Sequence, residues 1–304
     1  MLAALKYLGD GLYRWPSLLL TLTAVFWAGN TIAGRLAVGH ISPLMLVSIR
    51  WVLVVSALWP IYGGQVLAHW SEIRPKLVSV LLMAAAGFTG FNVLYYLAAH
   101  TTTAVNMGIL QGGMPIFVLA GAFLWHGSRA SRVQVTGVLI TLAGVVVVAT
   151  RGAPLAILEI GLNGGDVLVL AACVLYASYT VALHDRPSMP GAAFFTLLAL
   201  IAAATSLPLV AFEAATRGLE TPSLQGFIVA AYVAIFPSCL AQLFFLRGVD
   251  LLGPGRAGVF VNLVPIFSAI LAVTLLGEPF AAFHAVALLL VIGGIWLAER
   301  GRGT

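Results

Sequence analysis

Long runs without a charged residue are the feature that most constrains this chain. The longest extends from Leu77 to Ser128 and contains no Asp, Glu, Lys or Arg. Charged residues make up 8% of the 304 residues and hydrophobic residues 61%, whereas soluble domains average about 25% charged and about 45–50% apolar residues. Because so few charges cannot cover a soluble fold of this length, we expect the chain to lie in a lipid bilayer.

The uncharged runs have the length of membrane-spanning helices, which need about 20 apolar residues. Leu77–Ser128 is long enough for two helices with a turn near His100–Thr103. Eight more runs bring the total to ten: Trp15–Gly34, Trp51–Ser71, Val133–Thr150, Val167–His184, Pro187–Phe212, Thr221–Leu246, Ala257–Gly277 and Pro279–Ala298. The short alternating segments of a transmembrane barrel are absent. The sequence therefore predicts an all-α integral membrane fold of ten helices.

The placement of basic residues predicts the orientation. Ten spans put both termini on one side of the membrane. That side would hold Lys6, Arg14, Arg74, Lys76, Arg129, Arg132, Arg186, Arg247, Arg256, Arg300 and Arg302. The other side would hold Arg151 and Arg217 together with Glu159, Asp166, Glu213 and Glu220. Since Lys and Arg accumulate in cytoplasmic loops, we expect cytoplasmic termini, in a bacterial inner membrane.

The remaining composition argues against several partners. The basic residues are scattered through the loops and form no stripe, so no nucleic acid is expected. The two cysteines, Cys173 and Cys239, both lie in apolar runs and cannot build a disulfide framework or a metal cluster. No cofactor or metal is predicted. The expected partners are the bilayer and a small-molecule substrate, and the oligomeric state is left open.

The two halves of the chain repeat each other. A shift of 150 residues places Gly108–Phe117 on Gly258–Phe267, including a proline in each copy. Each half, 1–152 and 153–304, then holds five helices. Because five is odd, the second copy must enter the membrane from the opposite side, and such inverted repeats are typical of secondary transporters.

Short motifs extend this comparison to a known family. They are Trp27-Ala-Gly-Asn30, Pro43 followed by Ser48-Ile-Arg50, the paired Pro115 and Pro265 segments, and Leu275-Leu-Gly-Glu-Pro279. With these motifs the chain resembles the EamA type of the drug/metabolite transporter superfamily, and is similar to the aromatic amino-acid exporters within it. The resemblance implies a central cavity between two five-helix repeats and export of amino acids and related metabolites. The first-half twin of the last motif, Trp125-His-Gly-Ser-Arg129, lacks the glutamate.

Polar and aromatic residues inside the spans are the candidates for substrate binding, since a polar group in a bilayer needs a partner or a wet cavity. The candidates are Trp27, Asn30, Asn92, Tyr95, Tyr96, Asn106, Gln111, Tyr176, Tyr179, Ser238, Gln242 and Asn262. Any one of the amides could instead join two helices. As a set they are neutral, hydrogen-bonding and aromatic, which favours a zwitterion or a planar apolar group over a phosphate.

Two prolines are candidate hinges for alternating access. Pro115 and Pro265 each remove a helical hydrogen bond and favour a kink. The alternative interpretation, of equal weight, is that each proline forms a static kink that shapes the cavity.

Two charges lie deep in apolar sequence. We expect Arg35 and Arg50 to extend towards the membrane surface, and the alternative is that Arg50 binds a substrate carboxylate. No Asp or Glu lies in the middle of a span, and His100 and His126 lie near span ends. The absence of a buried carboxylate favours a facilitator driven by the substrate gradient over ion-coupled transport.

Other functional classes fit less well. No metalloprotease or serine-hydrolase motif is present, so no enzymatic activity is expected, although an intramembrane enzyme stays the alternative of another class. A nucleotide sugar or other phosphate-bearing substrate is the alternative within the transporter class, and it would require several Lys or Arg in the cavity.

Overall fold

The structure is a computed structural model that describes residues 15–127, 131–153, 163–217 and 221–300. Ten helices in these ranges are long and apolar enough to cross a membrane. They are α1 (Pro16–Ala37), α2 (Pro43–Ala68), α3 (Trp70–Ala98), α4 (Ala104–His126), α5 (Arg132–Ala149), α6 (Gly164–Asp185), α7 (Gly191–Thr216), α8 (Leu224–Leu252), α9 (Arg256–Leu276) and α10 (Ala282–Arg300). The predicted all-α membrane fold is confirmed.

Some predictions lie outside the described residues. They concern Lys6, Arg14, Ser128, Arg129, Glu159, Glu220 and Arg302. The division of the chain at residue 152 also stays a prediction.

Several helices begin or end where the charge-free runs do not, because caps rather than charges set their ends. The second charge-free run begins at Trp51, but α2 begins at Pro43, in agreement with the family motif from Pro43 to Arg50 at the opening of this helix. Ser42 caps it by accepting a hydrogen bond from the backbone N–H of Met45 at 3.1 Å. Pro43 occupies the first turn, where its missing N–H has no cost. Arg50 therefore lies inside a membrane helix.

The helix packing has the symmetry of an inverted repeat. Helix α1 packs against α8 and α9, and its counterpart α6 packs against α3 and α4. The pairs α2–α7, α4–α9 and α5–α10 join equivalent helices of the two halves. We call the membrane side where α1 begins and α10 ends the terminal face, and the other side the opposite face.

Irregular turns recur at the spacing of the repeat. Short π-helical segments interrupt α3 at Ala85–Gly90 and α8 at Ala234–Leu240. Left-handed glycines end α4 and α9, at Gly127 and Gly277. Both pairs lie about 150 residues apart, the same shift that aligns the sequences. π-bulges are frequent at functional sites, and both segments lie beside the cavity described below.

We expected each candidate hinge proline to remove a hydrogen bond from a continuous helix. In the structure neither proline lies within a continuous helix. Helix α4 breaks at Gly112–Gly113 and restarts at Met114, and α9 breaks at Asn262–Leu263 and restarts at Val264. Pro115 and Pro265 therefore occupy first turns, where no hydrogen bond is lost. The breaks lie where the sequence indicated kinks, and their role as hinges stays a prediction.

Helices α5 and α10 approach through glycine. A Cβ atom on Gly294 would lie 2.3 Å from Oγ1 of Thr141 and 2.5 Å from the carbonyl oxygen of Gly137. No real Cβ atom approaches a neighbour so closely, so a methyl group here would force the two helices apart. The neighbouring Gly293 is exposed, and a Cβ atom on it would meet nothing within 4 Å.

We expect Gly294→Ala to destabilise the protein and Gly293→Ala to leave its stability unchanged or raised. Both changes gain about 1 kcal/mol of helix propensity, but only the first overpacks a helix interface, which costs about 1–3 kcal/mol. Thermal unfolding in detergent, followed by size-exclusion chromatography, measures the difference. Equal melting temperatures for the two variants would contradict the α5–α10 contact.

Candidate functional site

A cavity of about 430 Å³ lies between the two halves. This is within the range of small-molecule sites, about 300–1,000 Å³. Most of the residues predicted for the pathway line it. They are Trp27, Asn30, Asn92, Gln111, Tyr176, Tyr179, Ser238, Gln242 and Asn262, together with Pro115 and Pro265. The inverted repeat brings these side chains together from both halves.

Two predicted binding residues lie behind the cavity wall instead. Tyr95 is fully buried, and its hydroxyl group lies 2.7 Å from that of Thr31 and donates to Oε1 of Gln111 at 2.8 Å. Tyr96 donates to Oδ1 of Asn30 at 2.7 Å. These tyrosines orient amides that face the cavity. They share a helical side with Asn92, as expected, but α1 covers them.

Asn106 joins helices at the opposite face. Its Nδ2 lies 3.4 Å from both carboxylate oxygens of Asp166, and its Oδ1 lies 3.1 Å from Nε2 of His284. Nδ1 of His284 accepts the backbone N–H of Ala281 at 3.0 Å. The imidazole is therefore neutral with its proton on Nε2, which donates to Asn106.

The position of Asp166 differs from its prediction. We placed it in a loop, but it lies in the first turn of α6 and is only 3% exposed. The hydroxyl group of Thr102 donates a short hydrogen bond to it. His284 was missed entirely, because a lone histidine in an apolar run carries no local signal. By contrast, His100 and His126 are exposed, in agreement with their expected place near span ends.

Arg50 does not extend towards the membrane surface, so that expectation is wrong. Its side chain is 6% exposed and lines the cavity. Nε donates to Oγ of Ser238 at 2.6 Å. Nη1 donates to Oδ1 of Asn92 at 2.6 Å, to the hydroxyl group of Tyr96 at 2.6 Å and to Oδ1 of Asn30 at 3.0 Å.

Arg35 is held by a partner rather than by the membrane surface. Its Nε lies 3.5 Å from Oε1 of Glu278, and its Nη1 donates to the carbonyl oxygen of Ala99. Glu278 also accepts the backbone N–H groups of Ala104 and Val105 at 2.9 and 3.0 Å. The glutamate of the Leu-Leu-Gly-Glu-Pro motif therefore caps α4 and ties it to α1 and α9.

Aromatic side chains form one wall of the cavity. The ring of Phe88 lies 5.1 Å from those of Trp51 and Tyr179, and Tyr176 lies 5.2 Å from Phe91 and 5.3 Å from Tyr179. The two tyrosines are among the residues predicted from the sequence, and Trp51, Phe88 and Phe91 are not. A phenylalanine in an apolar span has no polar signal, so only the packing distinguishes a cavity wall from a lipid-facing ring.

The other wall carries a polar contact at a helix irregularity. Nε1 of Trp27 donates to the carbonyl oxygen of Pro237 at 3.1 Å, within the π-helical segment of α8. The ring of Trp27 lies 5.4 Å from that of Phe245. The motif residue Trp27 thus binds a carbonyl group of the π-helical segment.

The cavity extends towards the terminal face. Leu183, Arg186, Gly191, Gly258 and Glu299 line it, and all of them lie near helix ends on that side. At the opposite face, polar contacts join the described parts of the two halves. Besides the Arg35–Glu278 pair, Ser42 donates to Oε2 of Glu213 at 2.6 Å, and His40 pairs with Ser223 at 2.9 Å.

Comparisons with known proteins agree with this architecture. A model of the EamA-like transporter family matches the chain twice, over residues 14–150 and 163–299. The chain therefore belongs to the EamA-like transporter family, a family of membrane transporters.

Individual relatives extend over almost the whole chain. It is 26% identical to the uncharacterized transporter YyaM of Bacillus subtilis (strain 168), with 91% of this chain and 90% of the relative covered. It is 23% identical to a probable amino-acid metabolite efflux pump of Salmonella typhimurium (strain LT2), over 95% of this chain and 96% of the relative. A solved crystal structure, 19% identical, covers 95% of this chain and 98% of its own, with a TM-score of 0.60. That last likeness concerns the fold alone.

Proposed function

We propose that this transporter exports small metabolites, with aromatic and other neutral amino acids as the best candidates. The observation that carries the proposal is the cavity itself. It combines a wall of aromatic rings with asparagine and glutamine amides, and lies between two inverted halves. Amides bind polar backbone groups of a substrate, and rings pack against a planar side chain. A relative described as a probable amino-acid metabolite efflux pump adds support.

Alternating access is the proposed mechanism. Polar contacts close the opposite face and the cavity extends to the terminal face. Since the halves are related by inversion, exchanging their conformations would open the opposite face instead. The breaks beside Pro115 and Pro265 interrupt α4 and α9, so each helix has two segments that can move separately. We propose these breaks as the hinges.

The proposal includes orientation and driving force. The excess of Arg and Lys on the terminal side supports a cytoplasmic location for that side in a bacterial cell, with the protein in the inner membrane. We propose a facilitator, driven by the gradient of its substrate.

A phosphate-bearing substrate is less well supported. Among the described residues that line the cavity, Arg50, Arg186 and Glu299 are charged, and only Arg50 is buried. One buried cation does not match the charge of a phosphate group at neutral pH. No observation on the residues that the structure describes supports an intramembrane enzyme.

Flux into liposomes tests the proposal. We expect purified protein to give saturable uptake of labelled phenylalanine, tryptophan and other neutral amino acids without an ion gradient. Nucleotide sugars in the same panel serve as the matched comparison. Uptake that appears only with a proton gradient would contradict the facilitator mechanism, and uptake of nucleotide sugars alone would contradict amino-acid export.

Labelling of intact cells tests the proposed orientation. A cysteine placed at Thr304 should resist an external thiol reagent.

A further inference from the structure

We propose that Arg50 forms a carboxylate-binding subsite in the cavity, and that substrates are recognised by their carboxylate group rather than by an ammonium group. This inference rests on the proposed export of amino acids and related metabolites, and it narrows their chemistry.

The first observation is a buried charge without a counter-ion. Arg50 is 94% buried, and no Asp or Glu of the described residues lies within ion-pair distance of it. Asp166 and Glu278 are occupied by other partners at the opposite face. An ionised group inside a membrane protein is costly unless it is paired, and it usually marks a substrate or ion pathway. The missing negative charge is expected to come from the ligand.

The second observation is the geometry of the guanidinium group. Four neutral oxygens hold Nε and Nη1, whereas Nη2 has no hydrogen bond to a described residue and is not enclosed by protein. Three acceptors share the two N–H groups of Nη1, so Nη1 has no N–H group left for a ligand. Nη2 remains for a substrate oxygen. A carboxylate oxygen that accepts from Nη2 would form a charge-assisted hydrogen bond, which is about twice as strong as a neutral one.

The neutral acceptors are themselves fixed in place. Nδ2 of Asn92 donates to the carbonyl oxygen of Phe88 at 2.5 Å, which directs its Oδ1 to Arg50. The hydroxyl group of Ser238 donates to the carbonyl oxygen of Val233 at 2.5 Å, so its lone pairs face Nε. The subsite is therefore rigid before a ligand arrives, which lowers the entropic cost of binding.

The third observation is the aromatic wall next to this charge. The guanidinium carbon lies 5.0 Å from the ring centre of Trp51, whose ring lies 5.1 Å from that of Phe88. A carboxylate on Arg50 would therefore place the rest of a small molecule near aromatic rings. This arrangement suits an arylalkanoate, with or without an α-amino group.

Among the described residues that line the cavity, none offers an equivalent buried anchor for an ammonium group. The carboxylate that lines it, Glu299, lies in the last turn of α10 at the terminal face and is half-buried. In the second repeat, the positions that match Arg50 are Ala199 or Leu200. The subsite is therefore single, and one carboxylate per cavity is expected.

Competition by analogues tests the subsite in the wild-type protein. Labelled phenylalanine in liposomes is competed with 3-phenylpropionate, which keeps the carboxylate, and with phenethylamine, which keeps the ammonium group. We expect 3-phenylpropionate to compete within a few-fold of unlabelled phenylalanine and phenethylamine not to compete. Equal competition by the amine would overturn the subsite and leave amino-acid export standing. If neither phenylalanine nor any related compound is transported, the proposed function itself fails.

Variants locate the effect at Arg50. Losing one partner of a buried charged hydrogen bond typically costs about 2 kcal/mol or more, or about 30-fold in affinity. We expect Arg50→Gln to weaken competition by 3-phenylpropionate by about this factor, and Arg50→Lys to recover part of it. Arg186→Gln, at an exposed arginine of the same cavity, is the control. It should change competition by 3-phenylpropionate by less than the Arg50 variants do. An Arg50→Gln protein that folds and keeps wild-type selectivity for the carboxylate would overturn the inference. The wild-type comparison decides the matter if this variant does not fold.

Discussion

Replacing Gly258 by tryptophan is expected to block transport without unfolding the protein. Gly258 lines the cavity, and the nearest atom outside its own helical turn to a Cβ atom built on it is Oε1 of Glu299 at 4.0 Å, so the backbone tolerates a side chain. An indole ring there would occupy space that a substrate needs. We expect the flux of phenylalanine to fall by about tenfold or more, because about 1.4 kcal/mol of lost binding already gives that factor.

Gly293→Trp provides the matched control for this experiment. It adds the same ring to a helix glycine, but at an exposed position where a Cβ atom meets nothing within 4 Å. Its flux should equal that of the wild-type protein. Unchanged flux in a folded Gly258→Trp protein would show that the substrate does not pass through this cavity.

Removing the carboxylate of Glu278 is expected to produce the largest loss of stability. The side chain is 10% exposed, accepts two backbone N–H groups at the start of α4 and pairs with Arg35. Glu278→Ala removes the acceptor of these two donors and the counter-ion of Arg35, which keeps its hydrogen bond to the carbonyl oxygen of Ala99. Loss of a helix cap costs about 0.5–2 kcal/mol, and loss of the ion pair adds about 1 kcal/mol or less, because the Arg35 side chain is 33% exposed. We expect a melting temperature several degrees below that of the wild-type protein.

Two further variants separate the contributions. Glu299→Ala removes a half-buried glutamate that makes no hydrogen bond or ion pair with another described residue, so its melting temperature should stay near the wild-type value. Glu278→Gln keeps one acceptor oxygen and should fall between the wild-type protein and Glu278→Ala. If Glu278→Ala and Glu299→Ala unfold at the same temperature, the capping contact does not stabilise the fold.

The pathway residues could be predicted in part because polarity inside a membrane span is itself a signal. Asn30, Asn92 and Gln242 stand out against apolar neighbours, and all three line the cavity. Asn106 gives the same signal but binds Asp166 and His284 elsewhere. Sequence alone cannot separate these cases, because the partner of an amide lies on another helix.

The locations of Arg50 and Asp166 were predicted wrongly for a related reason. The apolar sequence around Arg50 indicates that the residue lies near or within a membrane span, but it does not indicate which helix faces its side chain. The serine that binds its Nε is 188 positions away, and its other partners lie on α1 and α3. Asp166 was assigned to a loop because the charge-free run begins just after it, although the helix begins at Gly164.

The sequence by itself determined the membrane fold, the ten spans and the inverted repeat. These depend on run length, on composition and on a constant shift of 150 residues, all of which are local or periodic properties of the chain. Only the tertiary structure decided which polar groups face the cavity, which join the two halves at the opposite face and which lack a counter-ion. Burial and pairing depend on contacts between helices distant in sequence, and apolar spans carry little periodicity to indicate which face is turned inward.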